Sequence, residues 1–402
     1  MVGWGLKKRG LRPIGLDIGH GSIKMIQLLI DDGQTSVFAA DEARIEKAAN
    51  DDELARRNAI VSAIKQMLAK GNFLGKDVVS CLPSGKLKIT SVRLAEADMD
   101  TIERSLRKEA AQRFGLDPEK DPMDYLVAGS VRQGDEVKNE LILFATDSET
   151  IKDHIEMLEE AGLRPVAIDP IPCALFRSFG RSLRRQEDLE QTVVFVDVGQ
   201  RFTTVVFSRG RKISLVKQIA IGGERFVQEI ATKLGVSIDE AETLRESLRI
   251  KKKISSSASV GSESHVSEGK HEIDTSTRET ITDAATSVAE DLAREISLCL
   301  RYYTVTFRGA RVERAIFAGG GAYEDILIDV LRRQLVVEIE VAEPLRGFDL
   351  SNSKRGSLNF QSDRRGVLCE WAVAVGLGLK GWNGIENHRS PGRSRSRDYE
   401  RN

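Results

Sequence analysis

Apolar positions along the chain gather into short dense runs that end in glycine-bearing turns, and these alternate with stretches of helical spacing. The run from Ile14 to Ile18 is broken once, by Asp17. Gly19 and Gly21 follow, and the apolar pattern resumes at Ile23. A buried strand, a tight turn and a returning strand are predicted. Residues 192 to 223 repeat the plan, with Asp197 and Gly199 after an apolar run, then Thr203 and Thr204, and a returning run that ends at Gly222 and Gly223. A third site, residues 314 to 335, reads as a buried strand, the glycines 319 to 321, Ala322 and an amphipathic helix.

Helical spacing covers residues 51 to 70, with Leu54, Ile60, Val61, Ile64 and Leu68 on one face, and core packing accounts for them. Residues 77 to 94 have strand composition, Pro83 closing the first strand. A helix at about 98 to 114 carries Ile102, Leu106 and Ala110, and two strands follow, joined by a polar hairpin around Gly134. Residues 151 to 162 form an amphipathic helix that stops at Gly162 before Pro165. Further helices start at Gly222–Gly223 and at Ser237, where Glu240 completes a capping box. Another spans 281 to 305, with Val288, Leu292, Ile296 and Leu300 on one face. Residues 366 to 380 read as a buried helix whose Ala372, Ala374, Gly376 and Gly378 allow close approach to a neighbour. The Ser/Gly-rich stretch 255 to 270 cannot repay its ordering entropy and is expected to be disordered.

The chemistry lies at the ends of the dense runs. A buried strand seldom carries a carboxylate without a partner or a task. Glycines just beyond it let backbone N–H groups approach an anion. Asp17 and Asp197, each followed by such a turn, suggest two facing lobes and a polyphosphate with a divalent cation between them. Gly319, Gly320 and Gly321 leave room for a flat ring or ribose, with a helix N-terminus behind. A strand ending in Asp-x-Gly also serves as a plain turn, and a triple glycine as a tight strand-to-helix connection. His20 reads as an exposed turn residue able to add a hydrogen bond. Lys24 either neutralises phosphate or decorates the returning strand.

Net charge is −1, with 60 Lys and Arg against 61 Asp and Glu, which argues against a nucleic-acid binder. The four cysteines, Cys81, Cys173, Cys299 and Cys369, form no CxxC pair and fit reduced core residues of a cytoplasmic protein. No apolar run approaches the length of about 18 residues needed to span a bilayer. The segment MVGWGLKKRGLR and the tail HRSPGRSRSRDYERN are basic and read as solvated ends, with contact to an anionic membrane or a partner ranked second.

The order of these motifs resembles the actin-like ATPase superfamily, with phosphate 1 at 14 to 28, phosphate 2 at 192 to 207 and the adenosine motif at 314 to 323. Within it the chain resembles the PilM family of type IV pilus assembly. That resemblance rests on KKRGLRPIGLDIG, VVSCLPSGKLKITSVRL, RKEAAQRFGLDPEKDPMDYLVAG, LFATDSETIKDHIEMLEEAGLRPVAIDP, IAIGGERFVQEIATKLGVSIDEAETLR, VERAIFAGGGA and CEWAVAVGLGL. It implies an α/β, actin-like ATPase fold of two lobes, duplicated RNase H-like subdomains. A small α+β subdomain, residues 81 to 140, is inserted in lobe one. Lobe one would comprise 13 to 190 plus 360 to 382, after a basic segment 1 to 12. Lobe two would comprise 191 to 359, with a smaller subdomain at about 226 to 284, a disordered loop at about 251 to 275, and a tail 383 to 402. The connecting helices would lie near 149 to 162 and 366 to 380.

The resemblance further implies ATP and Mg²⁺, the metal held through water by Asp17 and Asp197. Phosphates would meet Gly19, His20, Gly21, Ser22, Lys24, Gly199, Thr203 and Thr204. Gly222, Gly223, Glu242, Arg245, Gly319, Gly320, Gly321 and Ala322 would surround the nucleoside. Arg245 stands where the family commonly has Lys, and an exposed i,i+3 pair with Glu242 explains it equally well. Where actin-type ATPases orient the attacking water with a polar side chain, this chain has Ile171 between Pro170 and Pro172. Slow or no hydrolysis is therefore expected, with Asp169 the substitute base. The implied partner is the N-terminal cytoplasmic peptide of PilN, an inner-membrane protein, received by the inserted subdomain. Other pilus proteins, motor ATPases among them, and self-association extend that set; membrane contact would be indirect. A filament-forming adaptor like FtsA and a small-molecule kinase of the same fold are the alternatives.

Overall fold

The computed structural model describes residues 10–31, 33–45, 52–133, 135–180, 191–257, 274–307, 311–351, 358–360 and 367–381. Most of the basic N-terminal segment, Gly134, the connection 181–190, most of the Ser/Gly-rich loop and the basic tail lie outside them.

The chain begins with β1 (Gly10–Leu11), β2 (Ile14–Ile18), β3 (Ser22–Asp31) and β4 (Gln34–Arg44), then α1 (Glu53–Lys70) and β5 (Asp77–Ser80). The inserted unit follows as β6 (Lys88–Ala95), α2 (Met99–Phe114), β7 (Met123–Gln133) and β8 (Glu136–Ala145). Lobe one resumes with α3 (Ser148–Glu160), β9 (Arg164–Ile168) and α4 (Ile171–Gly180). Lobe two holds β10 (Thr192–Val198), β11 (Thr203–Arg209), β12 (Lys212–Ile219), α5 (Gly223–Leu234), α6 (Ile238–Ser257), α7 (Thr275–Thr306), β13 (Val312–Ala318), α8 (Asp325–Gln334) and β14 (Glu338–Val341). The chain then returns to lobe one as α9 (Ala372–Gly378). Asp52, Asp98, Asp147 and Asp274 cap α1, α2, α3 and α7, each carboxylate accepting a first-turn N–H.

The two large sheets match strand for strand. Lobe one runs β4-β3-β2-β5-β9, with β1 also paired to β3; lobe two runs β12-β11-β10-β13-β14. In each, the first three strands form an antiparallel meander and the last two join parallel. β2 and β10, which carry Asp17 and Asp197 as their last residue but one, therefore hold the same central place. A strand covered on both faces reads as a near-continuous apolar run, and Ile14, Leu16, Val194, Phe195 and Val196 have no exposed surface.

Two helices join the lobes, and the first is not the one expected. Residues 149 to 162 form α3, an amphipathic helix on the outer side of lobe one, with Met157 and Leu158 packed in its core. The helix that meets α9 is α4. Its Phe176 and Phe179 pack against Phe195 of lobe two, while its Ala174 joins Val79 and Cys81 of lobe one. α4 is apolar nearly all round, as a helix buried between two sheets must be. The crossing needs glycine, because a Cβ on Gly376 would stand 1.8 Å from the Ala174 carbonyl oxygen. Gly15 serves the same end from β2, where a Cβ would come within 2.4 Å of the Ala374 carbonyl oxygen.

Other expectations shift at their edges. Leu54 is exposed, and Met67 joins Ile60, Val61 and Ile64 as the buried face of α1. β8 continues to Ala145, beyond residue 140, while Cys81 and Leu82 are buried. The inserted sheet runs β6-β8-β7. One face is covered by Ile102, Leu106 and Ala110 of α2; Ala128, Ile142 and Phe144 on the other join the lobe-two core. The return to lobe one comes before residue 360, since Leu345 and Phe348 already pack with Ile26, Leu28 and Val37.

Candidate functional site

Each central strand delivers its carboxylate to a turn of the same construction. After Asp17, the Gly19 N–H donates to the Ser22 carbonyl at 2.9 Å; after Asp197, the Gly199 N–H donates to the Phe202 carbonyl at 3.0 Å. On loop one, Arg56 of α1 reaches in and donates to the carbonyls of Gly19 and His20, both at 2.9 Å. His20 is half-buried rather than an exposed turn residue. Burial, and the nearby charges of Arg201 and Arg56, push its pKa down to about 4, so it is neutral near pH 7. Lys24 decorates no outer face. It lies opposite Asp17 in the β2–β3 register, buried, donating to Ser22 Oγ at 2.7 Å and pairing with Glu42 at 3.5 Å.

On loop two, Thr204 stands opposite Asp197, while Thr203 is committed elsewhere, its hydroxyl donating to the Ile221 carbonyl at 2.7 Å. Gly222 packs closely against the loop, and the Gly223 N–H is committed to it. The Gly223 N–H donates to the Gly199 carbonyl and the Glu224 N–H to that of Gln200, at 2.9 and 2.8 Å. A Cβ on Gly222 would sit 2.6 Å from the Gln200 oxygen. The first amides of α5 are thus used in bracing the phosphate-2 turn.

The triple glycine divides by role. Gly319 has φ +83, and a Cβ there would meet Asp197 Oδ1 at 2.6 Å. Gly321 lies against Val198, with 2.3 Å between its would-be Cβ and Cγ1. Ala322 is fully buried in the lobe-two core. Gly320 alone of the four has open space over its Cα and is exposed. Arg245 is not an exposed residue of α6. It is buried, bridging to Glu324 at 2.7 Å, donating to the Gly223 carbonyl at 2.8 Å and lying over the Phe226 ring. It fastens α6 to the start of α5 and to the glycine turn, whereas Glu242, one turn earlier on α6, is only partly buried.

Asp17 and Asp197, on different sheets, lie near enough for the charge of Asp17 to act on Asp197. Burial raises both pKa values, Lys24 opposes the rise at each, and the Asp17 charge adds to it at Asp197, which reaches about 7. Cys81 donates weakly to Asp17 Oδ1 from 3.9 Å. Two half-buried carboxylates that resist ionising near each other suit a divalent cation. Among the described residues no three His, Cys, Asp or Glu gather for a metal. Two carboxylates with glycine turns on either side match a hydrated Mg²⁺ held through its waters, an ion that usually keeps several of them. Asp169, the substitute base, is occupied: Arg177 holds Oδ2 at 2.9 Å and Lys380 holds Oδ1. It locks the α4–α9 crossing, where Arg177 also donates to the Gly376 carbonyl at 2.7 Å.

Arg56, Arg201 and Glu324 were not singled out from the sequence. Arg56 sits in a helix whose periodicity speaks only of packing, and neither it nor Glu324 has a local pattern that names its partner.

The family model for the type IV pilus assembly protein PilM matches residues 15–257. The chain belongs to the PilM family. A solved structure entitled as a PilM–PilN type IV pilus biogenesis complex superposes with a TM-score of 0.71 at 20% identity, covering 92% of this chain and 98% of the other. The ethanolamine utilization protein EutJ from Carboxydothermus hydrogenoformans superposes with a TM-score of 0.50 at 14% identity, covering 92% and 90%. This PilM-family chain has the actin-like ATPase fold, consistent with its two matching sheets and crossed helices. Among its described residues no helix is long and apolar enough to cross a membrane.

Proposed function

We infer that this PilM-family protein is a nucleotide-dependent adaptor. ATP with Mg²⁺ binds between the lobes and stabilises a closed state that holds the N-terminal cytoplasmic segment of a PilN-like inner-membrane protein. The observation that carries the nucleotide half is the equivalent placement of Asp17 and Asp197 near the ends of matching central strands, each before a glycine turn, with the charge of Asp17 acting on Asp197. Asp17 and Asp197 would hold the metal's waters. The turns at Gly19–Ser22 and Gly199–Phe202 would take the phosphates, and Gly320 would lie under the nucleoside. The bound metal would supply charge neutralisation for the polyphosphate.

The partner half is supported by family membership and by a PilM-family relative seen together with PilN. Recruitment through such a partner would keep the protein peripheral to the inner membrane. Titration calorimetry with ATP and Mg²⁺ tests the nucleotide half. Asp17→Ala and Asp197→Ala are each expected to weaken binding when Mg²⁺ is present and to have little effect in EDTA. Equal affinity in wild type and both variants would overturn the assignment of these carboxylates.

A further inference from the structure

Two basic segments, remote in sequence, meet the rest of the chain at one place. Residues 1 to 12 carry Lys7, Lys8, Arg9 and Arg12 and no carboxylate; residues 387 to 397 carry Arg389, Arg393, Arg395 and Arg397, again with none. Most of both segments lies outside the described residues, but their points of departure do not. Arg12 donates from Nη2 to the Lys380 carbonyl at 2.9 Å, a bond between residues 368 apart in the chain. A Cβ on Gly381 would stand 3.4 Å from the same nitrogen. Buried Gln27 adds a third piece. Its amide donates to the Arg12 carbonyl at 3.1 Å and to the Leu74 carbonyl at 2.8 Å, and its oxygen accepts the Leu74 N–H at 2.9 Å. The loop so held leaves Leu74 57% exposed between the exposed Lys70 and Lys76. Asp77, next along, is paired with Arg164, and Asp31 at the end of β3 is half-buried with contacts of its own.

This pole lies before β2, at the opposite end of that strand from Asp17. Each Lys or Arg brought to an anionic bilayer surface is worth about fivefold in partition. Either segment alone therefore gives weak binding that salt screens, since stable attachment takes two signals. Joined at one point, the second segment meets the surface as an intramolecular event, and the two gains multiply. Trp4 and Trp382 stand beside the cations, and Trp favours the headgroup level of a bilayer. Leu6 and the exposed Leu74 suit acyl chains and offer a nucleic acid nothing.

We propose that the two basic segments and the Leu74 loop form one surface that docks directly on an anionic bilayer. Contact of this kind adds to recruitment through a protein partner. It rests neither on the nucleotide cleft nor on a PilN-like segment, because vesicles free of protein test it.

Flotation of the full chain with vesicles of phosphatidylcholine, and of equal parts phosphatidylcholine and phosphatidylglycerol, is the experiment. Binding is expected to the anionic vesicles alone, falling as salt rises. Lys7→Gln with Lys8→Gln, and Arg393→Gln with Arg395→Gln, should each lose about 25-fold in partition, with an unchanged melting temperature. Leu74→Asp should lose at least about fivefold. In a Trp4→Phe background, where Trp371 is buried, Trp382 should shift its emission to the blue on anionic vesicles. Adding the Lys7 and Lys8 changes should reduce that shift, because both segments meet one surface. Equal binding to the two vesicle types, or variants that partition like wild type, would overturn the proposal. A Trp382 shift indifferent to Lys7 and Lys8 would overturn the shared surface. Displacement of the vesicles by a single-stranded RNA oligonucleotide would assign the segments to nucleic acid and overturn the proposal as well.

Discussion

Burial and the neighbouring Asp17 carboxylate together hold Asp197 at a pKa of about 7, although the two residues come from different sheets. A folded-state pKa above the unfolded value means that the folded protein binds the proton more tightly. Stability from this group is therefore full below the ordinary carboxylate range and is lost as pH rises through about 7. Asp197→Asn removes the loss. Thermal unfolding should show the variant more stable than wild type at about pH 8, with the advantage shrinking as pH falls towards the range of ordinary carboxylates, about 4. An advantage that grows on acidification would mean that Asp197 is stabilised as an anion by an unseen partner.

A second prediction concerns the α4–α9 crossing. Alanine is favoured over glycine inside a helix by about 1 kcal/mol, so propensity alone makes Gly376→Ala stabilising. The Cβ would stand 1.8 Å from the Ala174 carbonyl oxygen, a backbone atom that cannot turn aside. Overpacking of this kind costs about 1–3 kcal/mol or more, so the clash wins. Gly376→Ala should lower the urea midpoint; Gly378→Ala, whose nearest neighbours are side-chain atoms of Leu28 and Ile26 at 3.4 Å and beyond, should lower it less. The reverse ranking would contradict the crossing geometry.

Arg245 and Glu324 supply a third. Both are buried, and they join α6 to the turn that carries Gly320. Removing one partner of a buried pair costs about 3–5 kcal/mol, while replacing both with well-packed apolar residues is often neutral. Arg245→Ala should be strongly destabilised in chemical unfolding, and Arg245→Met with Glu324→Leu should recover most of the loss. A double variant as weak as the single one would show that Arg245 acts chiefly through the Gly223 carbonyl and the Phe226 ring.

These pairs also mark where sequence reading stops. The Asp-x-Gly turns, the α2 face and the small residues of α9 were legible because each is a local pattern with one physical cause. The connecting helix was not. α3 is longer, with a charged outer face, and attracts the assignment, whereas α4 is short, mostly apolar and starts between Pro170 and Pro172, which read as a break. Arg245, Arg56 and Asp169 take their meaning from Glu324, the Gly19 carbonyl and Lys380, partners far along the chain. Gly222 and Gly223 were expected in the nucleotide site because a glycine pair before a helix fits either a ligand or a brace; the bond from the Gly223 N–H to the distant Gly199 carbonyl is a brace that no local pattern announces.

Hydrolysis is expected to be slow. Ile171 opens α4 without a polar group to orient water, and both oxygens of Asp169 are taken by Arg177 and Lys380. Phosphoryl transfer depends on positioning and charge stabilisation, and the described cleft has the second with little of the first. Phosphate release under ATP–Mg²⁺ should fall below about 1 s⁻¹, the low end of ordinary enzymes. Asp169→Asn should lower the melting temperature while leaving the residual rate nearly unchanged. A rate collapse in a folded Asp169→Asn protein would restore Asp169 as the base.

The last prediction concerns the partner. Residues 81 to 140 were expected to form the receiving subdomain, and excising them is the simplest test, but the structure argues against that deletion. It would remove β6, β7 and part of β8, expose Phe144, and take away Ala128, which packs with the lobe-two core. Loss of binding would then report unfolding. Single charges on exposed apolar positions of the insertion are cleaner. Val127 on β7 is 43% exposed and Val137 on β8 is 58% exposed, so each can carry a carboxylate without entering either core. A short peptide that lies along a sheet edge draws its affinity from main-chain hydrogen bonds and a few apolar anchors. One buried charge at an anchor position removes most of that affinity. Val127→Asp or Val137→Asp should therefore weaken capture of a synthetic PilN-like N-terminal peptide by at least about tenfold, equivalent to roughly 1.4 kcal/mol. ATP affinity and melting temperature should be unchanged. If both variants bind the peptide as wild type does, these two positions lie outside the receiving surface, and an insertion site would have to use its β6 edge or the outer face of α2. Loss of peptide capture only when Asp17 is also replaced would instead place the partner under control of the nucleotide cleft.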